Sequence, residues 1–421
     1  KNIEIWNEPR SGTQDRLAPL YHSIAYSFKD QEYPKILGPG YTAGTMEKYV
    51  PDMGNMRALD VIDKISFHQY TDPEITSPMV RTMRTNLDKF GIIDMPVINS
   101  ESGAQYVGGI WPEYEQNVTG GGISAGRAVE NRAFGQRHFF EFVYSPVIRN
   151  DYDKQNSQIC VSGTALLDFA SYLHAVLLLS HREYIGDLDI SSQALMQNRV
   201  FAGADTAVVT LYRNYEENIS LPVQPLILYG QDGRVLDLVD GKIPLSDPMV
   251  YAIYKRSDVE SFLKTDTEAM KYYTISQNVY QPARSPYPVS VLHIPDYEEL
   301  EFSNTAYLMN DIINQSASFS YRAYNLSDSE QTIEMELSLP AWLKTAESLK
   351  KSITIPPDNY SSFSWQVEFV PESEGFLDEV WIRPTAESDS LVHPLMFRVQ
   401  CLRPLEEILD DYRSYRKLYL F

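Results

Sequence analysis

Over its first 180 or so residues the chain alternates short apolar runs with helical patterns, and this alternation restricts the fold more than any other feature. Runs at 3–6, 35–37, 64–68 and 96–100 have strand length and strand composition. Between them lie stretches with helical spacing, at about 14–28, from about 45, and at 79–90, where Met79, Val80, Met83 and Leu87 fall on one face. Gly38-Pro39-Gly40 is expected to close the second strand. A Gly-rich loop through Gly120-Gly121-Gly122 is expected to lead into a helix over 125–139, with a fifth strand at 140–147 and a last helix at 165–179. Strands separated by helices form βα units, and βα units build parallel sheets with helices against them.

From about residue 183 the pattern turns to β, with strands expected at 200–201, 207–212, 226–229 and 249–254. Gly203-Ala204-Asp205 and Asp232-Gly233 are turn signals between them. A short helix is expected within 258–278, and 282–288 reads as a linker. Beyond it, strands at 318–324, 332–337, 352–355, 362–369 and 379–382 have the spacing and alternation of two packed antiparallel sheets. The expected layout is a βα portion over 1–182, a small antiparallel β domain over 183–264, a linker over 265–288, an Ig-like β-sandwich over 289–403 and a helical tail over 404–421.

Lys and Arg number 36 against 57 Asp and Glu, a net charge of −21, which argues against a protein that tracks nucleic acid phosphates. Cys160 and Cys401 are too far apart to be a metal-spaced pair, and no disulfide framework or zinc signature is present. No apolar run approaches the length of a membrane span. The chain opens on Lys-Asn-Ile-Glu-Ile-Trp, in the middle of a strand, so preceding residues are expected in the natural protein. The sequons at Asn117, Asn218, Asn314, Asn325 and Asn359 carry no argument by themselves.

Three motifs fall where strands end. Trp6-Asn7-Glu8-Pro9 follows the first strand, Ser66-Phe67-His68-Gln69-Tyr70 the third, and Asn99-Ser100-Glu101-Ser102-Gly103 the fourth. In a barrel of βα units, the C-terminal strand ends hold the reactive groups. Glu8 and Glu101 lie 101 − 8 = 93 residues apart, three βα steps, which sets two carboxylates on opposite sides of an axial cleft. Carboxyl groups about 5–5.5 Å apart serve retaining glycoside hydrolysis, one as nucleophile and one as acid/base. Proximity of that kind also drives the two pKa values apart. His68 and Tyr70, two residues apart on a strand end, point the same way, which places Tyr70 to hydrogen-bond Glu101 and His68 to meet a sugar hydroxyl or a carboxylate. Asn7 stands ready to donate to a sugar hydroxyl beside Glu8.

Asn-Glu-Pro, then His-x-Tyr, then a strand-terminal Glu, in this order and at βα spacing, resembles glycoside hydrolase clan A over about residues 1–181. The motifs match the ends of that clan's strands four, six and seven. The resemblance implies the C-terminal half of a (β/α)8 TIM barrel, retention through a covalent glycosyl-enzyme, and neither metal nor organic cofactor. It also implies Glu8 as acid/base, Glu101 as nucleophile, Asn7 as partner of the sugar 2-hydroxyl and Tyr70 as partner of the nucleophile. Many members carry a Trp at the end of strand eight. This chain has none over 140–151, so that Trp111 is the candidate platform, or else a plug for its own loop. The β segment after the barrel is similar to layouts in family 39 xylosidases and in family 86 agarases and porphyranases.

The function these readings point to is retaining hydrolysis of β-glycosidic bonds in a plant or algal poly- or oligosaccharide, by a secreted or periplasmic protein. Two alternatives stay open: a carbohydrate-binding or scaffold protein whose barrel no longer catalyses, and a transglycosylase using the same intermediate. Trp342, Trp365 and Trp381 are available as sugar platforms in the second half, although alternation sets at least Trp365 toward a core.

Overall fold

The computed structural model of the 421-residue chain describes residues 2–9, 14–32, 34–70, 72–103, 114–136, 139–141, 165–282, 286–296, 301–303, 306–310, 316–370 and 377–402. It is a mixed α/β structure with many strands and few helices. The βα portion runs β1 (Asn2–Glu4), α1 (Gln14–Ser27), β2 (Lys35–Tyr41), α2 (Ala43–Asn55), β3 (Lys64–Gln69), α3 (Thr76–Asp88), β4 (Val97–Ser102), α4 (Tyr114–Ala133), β5 (Phe139–Glu141) and α5 (Leu167–Leu179). Trp111, Cys160, most of the expected strand at 140–147 and the expected helical tail lie outside the described residues.

Two local expectations change. Gly38-Pro39-Gly40 does not end β2, because Ile36 through Tyr41 are all buried and burial outweighs the poor strand propensity of Gly and Pro. Gly120-Gly121-Gly122 is not loop but the interior of α4. The helix needs small residues here, since a Cβ on Gly121 would lie 2.7 Å from Ser171 Oγ, and one on Gly122 would lie 2.3 Å from Pro248 Cβ. An exposed helical Gly→Ala change ordinarily stabilises by about 1 kcal/mol. Gly122→Ala is expected to do the opposite and cost roughly 1–3 kcal/mol through overpacking, read as a lowered denaturation midpoint; a raised midpoint would contradict the close packing.

Contacts divide the chain into two compact units: 1–39 with 48–63 and 282–421, and 40–47 with 64–281. In the first, β1 pairs in parallel with β2, with Ile3 opposite Ile36. Leu17, Ala18, Tyr21 and Ala25 form the buried stripe of α1. The Tyr21 hydroxyl reaches the carbonyls of Ile5 and Leu37 at 2.5 and 3.1 Å, tying the helix to the chain just past β1 and to β2.

The C-terminal strands of this unit form two sheets. One has the order Val289–His293, Ser316–Asn325, Tyr360–Phe369, Leu343–Lys344; the other runs Glu301–Ser303, Ala306–Asn310, Leu395–Leu402, Asp378–Pro384, Gln331–Ser338, Lys350–Ile355. Phe397 of the second sheet stacks on His293 at 4.0 Å and meets Phe319 edge-on at 5.2 Å, so the apolar faces share a core. Trp365 and Trp342 are buried, which makes them core residues; Trp381 is partly exposed beneath the Arg383 guanidinium, 4.1 Å from its ring centre. Alternation gave away the long strands, but Ala306–Asn310 and Leu395–Leu402 were missed because their burial does not alternate cleanly. Tyr287, within the stretch expected as linker, is buried and accepts a hydrogen bond from Arg57 at 3.2 Å.

The same unit buries three histidines. His22 and His393 stack at 4.1 Å with their rings 15° from parallel. Burial pushes both below the ordinary histidine pKa, His393 to about 4, and His22 is lowered further by its neighbour. His293 is likewise lowered by burial, against the pull of Asp15 at 3.2 Å. An unfolded chain takes up these protons near pH 6.5, whereas the folded chain refuses them until a lower pH. The stability they allow is therefore complete above neutrality and is lost as pH falls from about 6.5 toward 4, with about 3 kcal/mol from His393 alone. Urea melts at pH 7.5 and 4.5 should show this loss, and His393→Gln should flatten it; an unchanged slope in the variant would contradict the assignment.

In the second unit, β3, β4 and β5 pair in parallel. After α5 comes a seven-stranded antiparallel sheet in the order Val235–Leu236, Ile227–Gly230, Met249–Lys255, Thr206–Arg213, Leu195–Ala202, Glu183–Leu188, Leu263–Lys264. It holds α4 through Arg199, whose guanidinium grips both oxygens of the buried Glu130 at 2.8 Å and both oxygens of Asp187 at 2.8–2.9 Å. Burial favours the neutral form of Glu130, but two carboxylates around one guanidinium in fork geometry keep Arg199 charged, and we read the cluster as ionised.

Candidate active site

β3 and β4 carry the site. β3 is buried from Ile65 to Gln69, as a parallel strand covered on both faces must be. Its pairing with β4 runs in step from Ile65 and Val97 to Phe67 and Asn99, then slips, so that His68 lies opposite Glu101. The extra residue is Ser100. A bulge of this kind re-aims the side chains that follow it. Here it brings Glu101 level with His68 while Asn99, fully buried, secures the irregular backbone by donating its amide to the carbonyls of Glu101 (2.8 Å) and Phe67 (3.2 Å).

The Tyr70 hydroxyl donates a hydrogen bond to Glu101 Oε1, and His68 Nδ1 lies 3.7 Å from Glu101 Oε2. The His68 side chain is 1% exposed and that of Glu101 19%. Glu101 is thus hydrogen-bonded by Tyr70 and neighboured by His68, while part of its side chain stays open to solvent. The arrangement can present a carboxylate oxygen to an electrophilic carbon.

Around them, Ser102 Oγ donates to Gln69 O at 2.7 Å, and the Gln69 amide is fixed by Thr76 Oγ1 at 2.9 Å and Asp72 O at 3.1 Å. Arg127 of α4, fully buried, donates to Gln69 O at 3.0 Å and Gly103 O at 2.7 Å. Sequence reasoning assigned no role to Asn99, Ser102, Gln69 or Arg127. Nothing in a single sequence separates a buried helical Arg from a surface one.

Glu8 and Asn7 stand in the first unit, in the turn after β1. Pro9 is buried, Glu8 half-buried and Asn7 exposed. Trp6 and Glu8 both have left-handed backbone, with φ of 77° and 44°. Left-handed non-glycine residues cost of order 1–3 kcal/mol each and cluster at active sites and ligand clamps. The two flank Asn7. Of the sequence candidates, the second unit brings together His68, Tyr70 and Glu101, the first unit holds Asn7 and Glu8 in one turn, and Trp111 is outside the described residues.

No protein-family model matches the chain, and neither does any curated protein. Among solved structures, the chain is similar to a family 39 glycoside hydrolase from the gut symbiont Bacteroides cellulosilyticus, with 14% identity and a TM-score of 0.44 over 60% of this chain and 57% of that one. It is also similar to a family 39 β-xylosidase from Caulobacter crescentus, at 13% identity and a TM-score of 0.41 over 59% of this chain and 65% of that one. A third is an α-L-arabinofuranosidase from Thermotoga maritima, at 9% identity and a TM-score of 0.33 over 87% of this chain and 66% of that one. The chain spans 57% and 65% of the first two of these proteins. Among the described residues, no helix is long and apolar enough to cross a membrane.

Proposed function

We propose that the protein is a retaining glycoside hydrolase acting on β-glycosidic bonds of a plant or algal polysaccharide or oligosaccharide, with Glu101 as nucleophile and Glu8 as acid/base. The observation that carries this reading is Glu101 itself: a strand-terminal carboxylate, aimed by a bulge, hydrogen-bonded by Tyr70, neighboured by His68, and partly open to solvent. In the proposed reaction Glu8 protonates the glycosidic oxygen as Glu101 attacks the anomeric carbon; the C–O bond to the leaving sugar breaks and a glycosyl ester forms on Glu101. Glu8, now a carboxylate, takes a proton from water, and the hydroxide released by that transfer displaces Glu101. In this reading Asn7 bonds the 2-hydroxyl, where hydrogen bonds tighten in the transition state. Retention asks the two carboxyl groups to face each other at about 5–5.5 Å.

Glu8 has a diagnostic test. Aryl glycosides whose phenolate leaves without protonation need no acid in the first step, whereas a sugar leaving group does. Glu8→Ala should therefore lose on the order of 10²–10⁴-fold on the saccharide, yet still form the glycosyl-enzyme from a dinitrophenyl glycoside and accumulate it. Equal losses on both substrates would remove Glu8 from that role. Tyr70→Phe deletes one hydrogen bond to Glu101 and leaves the ring; we expect kcat to fall about 10–100-fold, in line with about 1.5–3 kcal/mol for a bond to a charged group. An unchanged kcat would show that the phenol does not support the carboxylate.

A further inference from the structure

We propose that Arg127 is a positioning residue of this site, acting through the backbone of the two strand ends that carry its side chains. The inference rests on the glycosidase reading of Glu101 and goes beyond it, because Arg127 lies on a helix and none of the three motifs contains it. Its guanidinium donates from one nitrogen to both Gln69 O and Gly103 O, at 3.0 and 2.7 Å. Gln69 sits between His68 and Tyr70, and Gly103 lies two residues past Glu101. The second guanidinium nitrogen meets Ser124 Oγ on the same helix at 3.5 Å. Ser102 Oγ closes the arrangement by donating to the same Gln69 carbonyl at 2.7 Å.

The physical case has three parts. A guanidinium carries donors in a fixed planar fork, so two carbonyls bound to it cannot drift independently. Both strands end here: past the bulge the ladder pairs only His68 with Glu101 and Gln69 with Ser102, and Tyr70 and Gly103 lie beyond it. Arg127 therefore supplies a cross-link where the sheet itself stops. Finally, the helix bearing Arg127 is itself immobilised. Glu130, three residues on, is gripped by Arg199, and Gly126 lets Pro73 approach so closely that a Cβ there would lie 2.6 Å from Pro73 Cγ. The clamp thus runs from the antiparallel sheet, through α4, to the carbonyls behind Tyr70 and Glu101. A fully buried cation is costly to hold, which makes an Arg at this place hard to explain as packing alone.

The test uses Arg127→Lys and Arg127→Met in the complete protein. An ammonium has donors for both carbonyls but sits on a shorter, flexible stem without the planar guanidinium's fixed geometry, and the thioether chain keeps most of the volume while removing all donors. Displacement of a catalytic group by about 1 Å costs about 10²-fold. The expected result is a loss of kcat of about that size for Met and a smaller loss for Lys, with KM little changed. Thermal melts report separately on folding, and the Lys variant guards against a Met variant that does not fold. Variants that are less stable but keep kcat in the folded fraction, or lose kcat and KM together, would overturn the proposal and leave Arg127 a structural residue. If the unsubstituted protein turns over no glycoside at all, the glycosidase reading fails first, and the clamp on Glu101 falls with it.

Discussion

Replacement of Glu101 by Gln or Ala is expected to abolish turnover, with losses on the order of 10⁴-fold or more, as removal of a covalent nucleophile typically gives. The expectation does not depend on the sugar. Gln keeps the size of the side chain and a hydrogen-bond acceptor for Tyr70, so folding should survive while the attacking oxygen loses its charge. Ala opens space beside His68 and leaves the Tyr70 hydroxyl without its Glu101 acceptor. A small external anion such as azide can then enter and attack from the vacated side, giving a glycosyl azide of inverted configuration. Rescue by azide in Glu101→Ala, together with its absence in Glu101→Gln, separates a lost nucleophile from a disturbed fold. Turnover within about 10-fold of the unsubstituted protein would contradict the assignment.

The second large effect concerns stability. Arg199 bridges the fully buried Glu130 on α4 and Asp187 on the neighbouring antiparallel sheet. Removing one member of a buried ionic cluster leaves an uncompensated charge and costs about 3–5 kcal/mol. Arg199→Met should do the most damage, since it strands Glu130 without its fork and removes the link from sheet to helix. Glu130→Gln should cost less, because Asp187 still neutralises Arg199. Denaturant midpoints for the two variants and their double mutant give the coupling directly. Purely additive effects would show that the cluster does not act as a unit. The same substitutions bear on the site, because α4 also carries Arg127. Arg199→Met is expected to lower kcat as well as stability, whereas a surface substitution of similar size would not.

Much of the fold was legible because burial periodicity is written in the residues. β3, β4, α1 and α3 stand within two or three residues of where apolar spacing set them, and the long strands of the second half follow their alternation. The failures have one physical origin, which is tertiary contact. Gly120-Gly121-Gly122 has the composition of a loop, and only Pro248 and Ser171 across the interface reveal why a helix needs it. Gly38-Pro39-Gly40 has the composition of a strand end, and only burial on both sides shows the strand continuing.

The site divides the same way. That Glu101, His68 and Tyr70 come together was legible because strand ends and i, i+2 spacing are local properties. The slip at Ser100 that sets His68 level with Glu101 was not, since a bulge exists only in a pair of strands. Asn99, Ser102 and Arg127 act through backbone carbonyls, and such partners leave no mark in residue spacing.

The central claim is that Glu101 forms a covalent bond to sugar. The most direct measurement incubates the complete protein with a panel of 2-deoxy-2-fluoro glycosides bearing activated leaving groups, followed by mass mapping of its peptides. The fluorine slows both steps and the good leaving group restores the first, so the glycosyl-enzyme accumulates. The account predicts an adduct on the peptide containing Glu101, absent in Glu101→Gln, with the reactive probe naming the sugar. An adduct on another carboxylate, or polysaccharide turnover with inversion at the anomeric carbon, would contradict it.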